Sequence, residues 1–262
     1  MTATRYLTPL REGGSLPAVI EADDEGLYVL KFRGAGQGAK ALIAELVAGE
    51  IARALGLPVP EIVLIELDCG LARTEPDPEI QDLIRASGGL NLGLDYLSGA
   101  LAFDPLADPP DAELASRIVW FDAFVTNLDR TARNTNMLVW HRKLWLIDHG
   151  ASLYFHHAGL ADPAAAASPF ALIREHVLLP AASRIAEVDA GMAERLSRDA
   201  IDRIVGLVPE PWLVDAATPA PDAAEPQGAA DRRAAYVDHF VRRLAAPRAF
   251  VTEAVRARDA HL

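Results

Sequence analysis

The chain has 262 residues, of which 51% are hydrophobic and 24% charged, so it can bury a large core and is not disordered as a whole. Its formal net charge of −12 argues against nucleic acid or an anionic membrane as the main partner, because such binding depends on clustered Lys and Arg. The single cysteine, Cys69, cannot form an internal disulfide, and neither an apolar leader nor a run of about eighteen apolar residues is present, so we expect a cytoplasmic protein without a membrane span.

The N-terminal stretch is typical of a small antiparallel sheet. Residues 18–20 and 27–30 are predicted strands on either side of an acidic turn that ends in glycine. Before them lies a short turn containing Gly13, Gly14 and Ser15. A glycine pair lets backbone N–H groups approach a phosphate closely, so this turn is a candidate nucleotide-binding loop. The alternative is an ordinary hairpin turn.

Lys31 ends the second of these strands, and a helix is predicted over residues 40–55 with Gly56 as its stop. A lysine at the inner end of an apolar strand needs an acidic partner, because an unpaired buried ammonium is costly. The helix offers Glu45 and Glu50. Glu50 falls within the apolar arc of an ideal helical wheel and Glu45 outside it, so spacing alone leaves the choice open. Alternatively, Lys31 reaches solvent at the strand end.

Two phosphate-binding motifs come close to matching residues 34–41, GAGQGAKA. The segment fails as a Walker A loop, because Ala39 replaces the glycine before the lysine and Ala41 replaces the Ser or Thr. It also reads as G-x-G-x-x-A between a strand and a helix, as in dinucleotide-binding folds. No repeated pattern of parallel strands and helices follows, so we disfavour that alternative.

The next part of the chain predicts a buried strand within residues 58–67 and a short helix around residues 80–84. A second strand follows, which ends in a glycine-flanked connector that contains Asp95, Tyr96 and Leu97. Residues 111–125 then predict a helix with Asp111 as its N-cap.

Residues 125–153 carry the strongest functional signal. A loop with Asp129 and Asn134 in the order D-x-x-x-x-N precedes a predicted hairpin of residues 136–140 and 144–147, and Asp148 follows the hairpin. Because a hairpin brings its ends together, we expect Asn134 and Asp148 to be neighbours. A carboxylate and an amide oxygen suit Mg²⁺, which takes its remaining ligands from water and phosphate.

Asp129 would then be a free base one loop away, an arrangement typical of kinase-type phosphoryl transfer. The alternative is that Asp129 and Asn134 are turn residues and that Asp148 caps a strand end.

Beyond residue 154 the sequence predicts helices and irregular segments. The predicted helices are 170–179, 190–207 and 229–260, the last broken or kinked at Pro247, with an irregular loop over 209–227. His156 and His157 could suggest a metal site, but adjacent side chains project in different directions, so we expect a solvated pair.

The chain resembles the HipA-like kinases, in particular their short stand-alone members. The matching segments are GGSLPAV, YVLKF, AELVAGEIARALGLPVPE, DYLSG, FDAFVTNLDRTARNTNML and LWLIDHG. The resemblance is good over residues 5–155 and loose beyond. It implies an α+β, two-lobed protein-kinase-like fold, with a small antiparallel β N-lobe over residues 1–98 and a mostly helical C-lobe over 99–262.

The resemblance also implies roles for the residues singled out above. Asp129 becomes the catalytic base, Asn134 and Asp148 the Mg²⁺ ligands, Lys31 the lysine that grips the ATP phosphates, and Glu45 the ion-pair partner of Lys31. The turn at residues 13–15 would cover the nucleotide, and the connector at residues 95–97 would be the hinge that holds the adenine.

The implied function is ATP- and Mg²⁺-dependent transfer of the γ-phosphate to a hydroxyl acceptor. Phosphoinositide kinases share the D-R-x-x-x-N and I-D-H-G patterns, so a protein Ser or Thr, a lipid and a small molecule all stay open as acceptor. The sequence departs from familiar kinases in its short glycine loop, in His149 where Phe is usual, and in the lack of a long activation segment. The alternative is a nucleotide-binding pseudokinase that acts as a regulator or scaffold.

Overall fold

A computed structural model describes residues 1–10, 16–160, 162–216 and 228–260 of the chain. Its N-terminal region is a five-stranded antiparallel sheet in the order β1-β2-β3-β5-β4. The strands are β1 (Ala3–Pro9), β2 (Ala18–Ala22), β3 (Leu27–Lys31), β4 (Ile62–Leu67) and β5 (Gly89–Asp95). An isolated parallel bridge between Thr2 and Glu66 joins the two edge strands at one end. The sheet is therefore curled, and the bridge covers part of both edges.

Helix α1 (Ala39–Ala54) crosses this sheet and fills the centre of the molecule. Eleven of its sixteen residues are buried, which explains why its sequence is apolar on nearly every side. One face of α1 packs against β4 and β5, and another contacts helices of the C-terminal region. The opposite face of the sheet is covered by a 3₁₀ helix (Cys69–Thr74) and α2 (Pro78–Ala86), with Ile20, Leu30 and Ile84 in a second, smaller core.

The C-terminal region is mainly helical around one small sheet. Its elements are β6 (Leu101–Ala102), α3 (Ala112–Val125), β7 (Met137–Trp140), β8 (Lys143–Leu146), α4 (Phe155–Ala158), α5 (Pro163–Ala166), α6 (Ile185–Glu194), α7 (Arg198–Gly206), α8 (Glu210–Asp215), α9 (Ala229–Leu244) and α10 (Ala249–Asp259), with 3₁₀ helices at Ala171–Glu175 and Leu179–Ala181. Helix α3 is the centre of this region, because Trp120 and Phe124 are fully buried against Phe250 of α10.

Several predicted elements are confirmed. Strands β2 and β3, helix α1 and the β7–β8 hairpin lie where the sequence predicts them, within one or two residues at each end. Asp111 caps α3, because its carboxylate accepts a hydrogen bond from the backbone N–H of Leu114 at 2.8 Å. The hairpin turn consists of His141 and Arg142, both with positive φ, as a two-residue turn requires.

Other predictions for the C-terminal region were wrong in detail. The helix predicted over residues 170–179 is two short 3₁₀ helices, because His176 between them is extended, with φ −68° and ψ 128°. The helix predicted over 190–207 is interrupted, since Ser197 caps the start of α7 with a bond from the N–H of Ala200. Residues 210–215 are helical, although the sequence predicts a loop there, and residues 217–227 lie outside the described part of the chain.

The break expected at Pro247 is confirmed, because α9 ends at Leu244 and α10 begins at Ala249. Across the described ranges, no helix combines the length and the apolar character needed to traverse a bilayer.

Candidate active site

Three charged side chains from distant parts of the chain converge between the N-terminal sheet and the β7–β8 hairpin. Lys31 ends β3, Glu45 lies in α1, and Asp148 follows β8. The ammonium of Lys31 donates to Asp148 Oδ1 at 2.7 Å and lies 3.8 Å from Glu45 Oε2. Lys31 is 8% exposed and Glu45 is 1% exposed, whereas the side chain of Asp148 is 36% exposed. The cluster therefore consists of a buried lysine, a buried glutamate and one aspartate that solvent can reach.

The two buried members of this cluster keep their charges. Burial alone would lower the pKa of Lys31, but the negative charges of Glu45 and Asp148 outweigh it, so the Lys31 pKa is raised. Burial would likewise raise the pKa of Glu45, but the Lys31 charge and hydrogen bonds from His149 lower it to about 2. At neutral pH Lys31 is therefore an ammonium and Glu45 a carboxylate.

The choice between Glu45 and Glu50, which helical spacing leaves open, is decided by the fold. Glu50 is half-buried and lies 3.5 Å from Arg53 on the same helix. The Lys31 partner that the family resemblance implies, Glu45, is the one that the structure places beside it.

The segment after β8 is held against α1 by Glu45. The backbone N–H of His149 donates to Glu45 Oε1 at 3.0 Å, and the imidazole Nδ1 lies 3.4 Å from the same oxygen. The imidazole is fully buried and meets the ring of Phe121 edge to face, with centroids 5.7 Å apart. Asp148 itself has φ 55°, in the left-handed region that few non-glycine residues adopt. Glu45 thus contacts both the lysine and the aspartate loop.

Asp129 lies in the loop between α3 and β7, held by two asparagines. Its carboxylate Oδ2 accepts from the side-chain amides of Asn134 at 2.9 Å and of Asn136 at 3.2 Å. The loop joins the aspartate segment through the N–H of Leu128, which donates to the carbonyl of Ala151 at 3.4 Å. Asp129 and the charged cluster therefore belong to adjoining segments.

The hairpin end differs from the sequence prediction by two residues. The residue opposite Ile147 is Asn136, whose carbonyl accepts the Ile147 N–H at 3.0 Å. Asn134 lies earlier in the loop, is exposed, and uses its N–H₂ on Asp129. Its amide oxygen is the atom that would bind a metal ion, and its pairing with Asp148 stays a prediction.

The sequence analysis gave no role to two residues that hold the Asp129 loop, one in the loop itself and one in α3. Asn136 was assigned to the strand, although it positions the Asp129 carboxylate. Asp122, in the middle of α3, was assigned no role, although a charged residue between Phe121 and Ala123 of an apolar helix is a signal that a buried partner exists. That partner is Arg130, which follows Asp129 directly.

The predicted nucleotide-covering residues are only partly described. Gly13, Gly14 and Ser15 lie outside the described residues. In the connector, the N–H of Asp95 donates to the carbonyl of Glu61, and that of Tyr96 donates to the carbonyl of Leu27, both at 2.9 Å.

Leu97 is buried, and its carbonyl accepts the N–H of Ala100 at 3.0 Å. The backbone N–H groups of Asp95 and Tyr96 are thus already hydrogen-bonded within the sheet. Of the three hinge candidates, Leu97 is therefore the best one for a backbone N–H that binds the adenine ring.

The prediction that His156 and His157 are a solvated pair is wrong for His156. His156 is buried, with Nδ1 2.9 Å from the hydroxyl of Tyr236 and Nε2 3.1 Å from His157 Nε2, because α4 packs against α9. Burial and the neighbouring charges lower its pKa well below the usual value. Within the described ranges no group of three or more His, Cys, Asp or Glu side chains could hold a metal ion.

The donor set of the aspartate site suits Mg²⁺ better than a transition metal. Asp148 offers a partly exposed carboxylate and Asn134 an exposed amide, both hard oxygen donors. Two protein ligands are enough for Mg²⁺ when phosphate oxygens and water complete its shell, and no cysteine or histidine competes for it at these two positions. The residues present therefore fit a magnesium ion that arrives with a nucleotide.

Comparison with known proteins identifies the family and the fold of the chain. A family model described as HipA-like kinase matches residues 4–227. No curated protein matches the chain. Among solved structures, the crystal structure of a Helicobacter pylori proinflammatory kinase, CtkA, aligns with a TM-score of 0.56 and 12% identity, covering 98% of this chain and 96% of that one. That likeness concerns the fold alone, which is kinase-like with an antiparallel N-terminal region and a helical C-terminal region. Since the family match spans most of its length, the chain belongs to the HipA-like kinase family.

Proposed function

We propose that this protein is an ATP- and Mg²⁺-dependent kinase that transfers the γ-phosphate to a hydroxyl group. The observation that carries the proposal is the convergence of Lys31, Glu45 and Asp148 beside the loop of Asp129. These four residues, supplied by a strand, a helix and two loops, are of the kinds that kinase-type phosphoryl transfer needs. Residues 1–98 and 99–262 are proposed as the two lobes that enclose the nucleotide.

Each side chain has a distinct task in this proposal. Lys31, kept charged by Glu45, binds the α- and β-phosphates of ATP. Asp148 and the amide oxygen of Asn134 hold Mg²⁺, which when bound neutralises charge on the phosphate oxygens. A triphosphate would give Lys31 other anionic oxygens to bind, and would free Asp148 Oδ1 from the 2.7 Å contact.

Asp129 acts on the acceptor. As the acceptor oxygen bonds to the γ-phosphorus and the bond to the ADP oxygen breaks, the hydroxyl proton moves to the Asp129 carboxylate. Hydrogen bonds from Asn134 and Asn136 fix that carboxylate through Oδ2. Asn134 would thereby link the base to the metal, because its N–H₂ donates to Asp129 and its amide oxygen would be left to bind Mg²⁺.

The proposal is tested by ADP formation from Mg-ATP in the parent and in Asp129→Asn and Lys31→Met variants. Loss of a general base reduces the rate by about 10²- to 10⁴-fold, so Asp129→Asn should fall near background. Lys31→Met should do the same, because it removes the ammonium proposed to bind the phosphates. Lys143→Met is the matched control, because Lys143 is an exposed lysine at the start of β8 and should leave the rate unchanged. Equal rates in all four proteins would reject the assignment.

The second candidate, a pseudokinase scaffold, makes a different prediction in the same experiment. The parent would bind Mg-ATP and form no ADP with any acceptor. The presence of Lys31, Asp129, Asn134 and Asp148 together favours the enzyme, because an idle site would be expected to lack at least one of them. The acceptor class, whether protein Ser or Thr, lipid or small molecule, is best sought with radiolabelled ATP and candidate acceptors of each kind.

A further inference from the structure

A buried carboxylate, Asp122, accepts hydrogen bonds from three side chains in and near the loop of Asp129; we call this group the Asp122 hub. The carboxylate of Asp122, in α3, is fully buried. Its Oδ1 accepts from Asn127 Nδ2 at 2.8 Å, and its Oδ2 accepts from Arg130 Nε at 2.6 Å and from His176 Nε2 at 2.8 Å. His176 Nδ1 accepts the N–H of Leu178, so its proton is on Nε2. All three side chains are therefore donors.

Burial would raise the pKa of Asp122, but the charge of Arg130 and the bond from His176 outweigh it, so the pKa is lowered. The carboxylate is ionised at neutral pH and can accept all three bonds.

One arm of the hub reaches the backbone of Asp129. Asn127 donates its N–H₂ to Asp122 and accepts, through its own Oδ1, the N–H of Asp129 at 3.1 Å. The orientation of the Asn127 amide is therefore fixed by the acid, because the carboxylate can only accept. A single side chain thus separates Asp122 from the main chain of the proposed base.

The other arm reaches the carboxylate of Asp129. Arg130 donates Nε to Asp122 and one terminal nitrogen to the carbonyl of Asn136. The side chain of Asn136 then donates to Asp129 Oδ2 at 3.2 Å. Asn136 has φ 47°, a left-handed conformation that this double anchoring holds in place. The two arms therefore end at the backbone and at the side chain of the same residue.

We propose that Asp122 is a positioning residue for phosphoryl transfer, which sets the place and direction of the Asp129 carboxylate through Asn127 and through Arg130 with Asn136. The inference rests on the proposed function, since it takes Asp129 as the base. A buried ion pair adds little net stability compared with apolar packing, so the geometry that it imposes on the loop is its main effect. Groups that orient a reactive side chain in this way typically change rates by about 10- to 100-fold.

The test begins with Asp122→Asn, which keeps the size of the side chain. An asparagine puts an N–H₂ where one acceptor oxygen was, and every neighbour is a donor, so at least one arm must break. Asp189→Asn is the matched control: Asp189 Oδ1 also accepts from an arginine, Arg248, and from an indole, Trp120, each at 2.8 Å, and neither bond involves the loop. Amide hydrogen exchange of residues 126–136, turnover and KM for ATP are measured for both.

The expected result is faster exchange of residues 126–136 in Asp122→Asn alone, a kcat lower by about 10- to 100-fold, and a KM for ATP within about threefold of the parent. A variant that only loosened the fold would raise exchange throughout the chain, and the control Asp189→Asn should leave exchange of residues 126–136 as in the parent. Parent-like exchange in the loop, or parent-like kcat, overturns the inference. If the parent itself forms no ADP, the proposed function fails, and loop exchange still decides whether Asp122 fixes Asp129.

A milder variant keeps the inference testable if Asp122→Asn does not fold. Asn127→Ala cuts only the arm to the Asp129 backbone, while Asp122 keeps Arg130 and His176. We expect about a tenfold lower kcat with KM for ATP unchanged. An unchanged kcat in a folded Asn127→Ala protein also overturns the inference.

Discussion

Replacing Glu45 with glutamine removes a buried negative charge while keeping the size of the side chain. The glutamine oxygen can still accept the N–H of His149, which Glu45 binds at 3.0 Å. What is lost is the charge that faces Lys31 at 3.8 Å. The substitution therefore separates the electrostatic role of Glu45 from its packing and from its hydrogen bond to the aspartate loop.

The magnitude follows from burial and from the partners that stay. Removing one partner of a buried ion pair costs about 3 to 5 kcal/mol. Lys31 keeps Asp148 at 2.7 Å, so the cost should be at the lower end, about 3 kcal/mol at pH 7. The lowering of the Glu45 pKa from 4.5 to about 2 corresponds to a similar contribution to the free energy of unfolding, about 3 kcal/mol.

The pH dependence has a definite sign. Because the Glu45 pKa is lower in the folded state than in the unfolded state, its contribution is fully present above about pH 4.5 and is lost as the pH falls towards 2. The difference in free energy of unfolding between the parent and Glu45→Gln should therefore be about 3 kcal/mol at pH 7 and should shrink steadily below pH 4.5.

The assay is urea unfolding of metal-free protein at a series of pH values, followed by fluorescence of the four tryptophans. Glu50→Gln is the control, because it makes the same change on the same helix in a half-buried residue whose ion pair is with Arg53 at 3.5 Å. We expect the control to stay within about 0.5 kcal/mol of the parent at every pH. Equal stability of the two variants at pH 7, or a gap that does not narrow in acid, would refute the reasoning.

Three further predictions concern the proposed metal ligand Asp148, the buried Arg243 and the residue after Asp148. Asp148→Ala should weaken Mg-dependent nucleotide binding by at least about tenfold more than Asp129→Ala does, as titration calorimetry would show; parent-like binding by both variants would mean that the metal site is misassigned. Arg243, 2% exposed, donates to four backbone carbonyls, two of them at the end of α3, so Arg243→Met should lower the free energy of unfolding by about 3 kcal/mol or more in urea titrations. His149→Phe keeps an aromatic ring at this position and the backbone hydrogen bond to Glu45, so the free energy of unfolding should change by less than about 1.5 kcal/mol. A larger loss would show that the contact between the imidazole and the Glu45 carboxylate is needed.

The sequence by itself determined those features whose causes are local. Short apolar runs on either side of an acidic turn predict β2 and β3, the cap at Asp111 predicts the start of α3, and a polar turn between two apolar runs predicts the β7–β8 hairpin. The candidate site residues Asp129 and Asp148 could also be proposed from their spacing, because kinase motifs are short and contiguous, and their roles stay a prediction. These features need only a few neighbouring residues to form.

Only the tertiary structure decided which residues meet across long distances in the chain. Helical spacing did not favour Glu45 over Glu50, and the direction in which α1 crosses the sheet placed Glu45 beside Lys31. Nothing in the local pattern shows that Asp122 and His176, separated by 54 positions, share a hydrogen bond, or that this bond keeps residue 176 extended where a helix is predicted. A buried charge must find its partner wherever the fold supplies one, and the energy of that contact exceeds the small local preference for helix or loop.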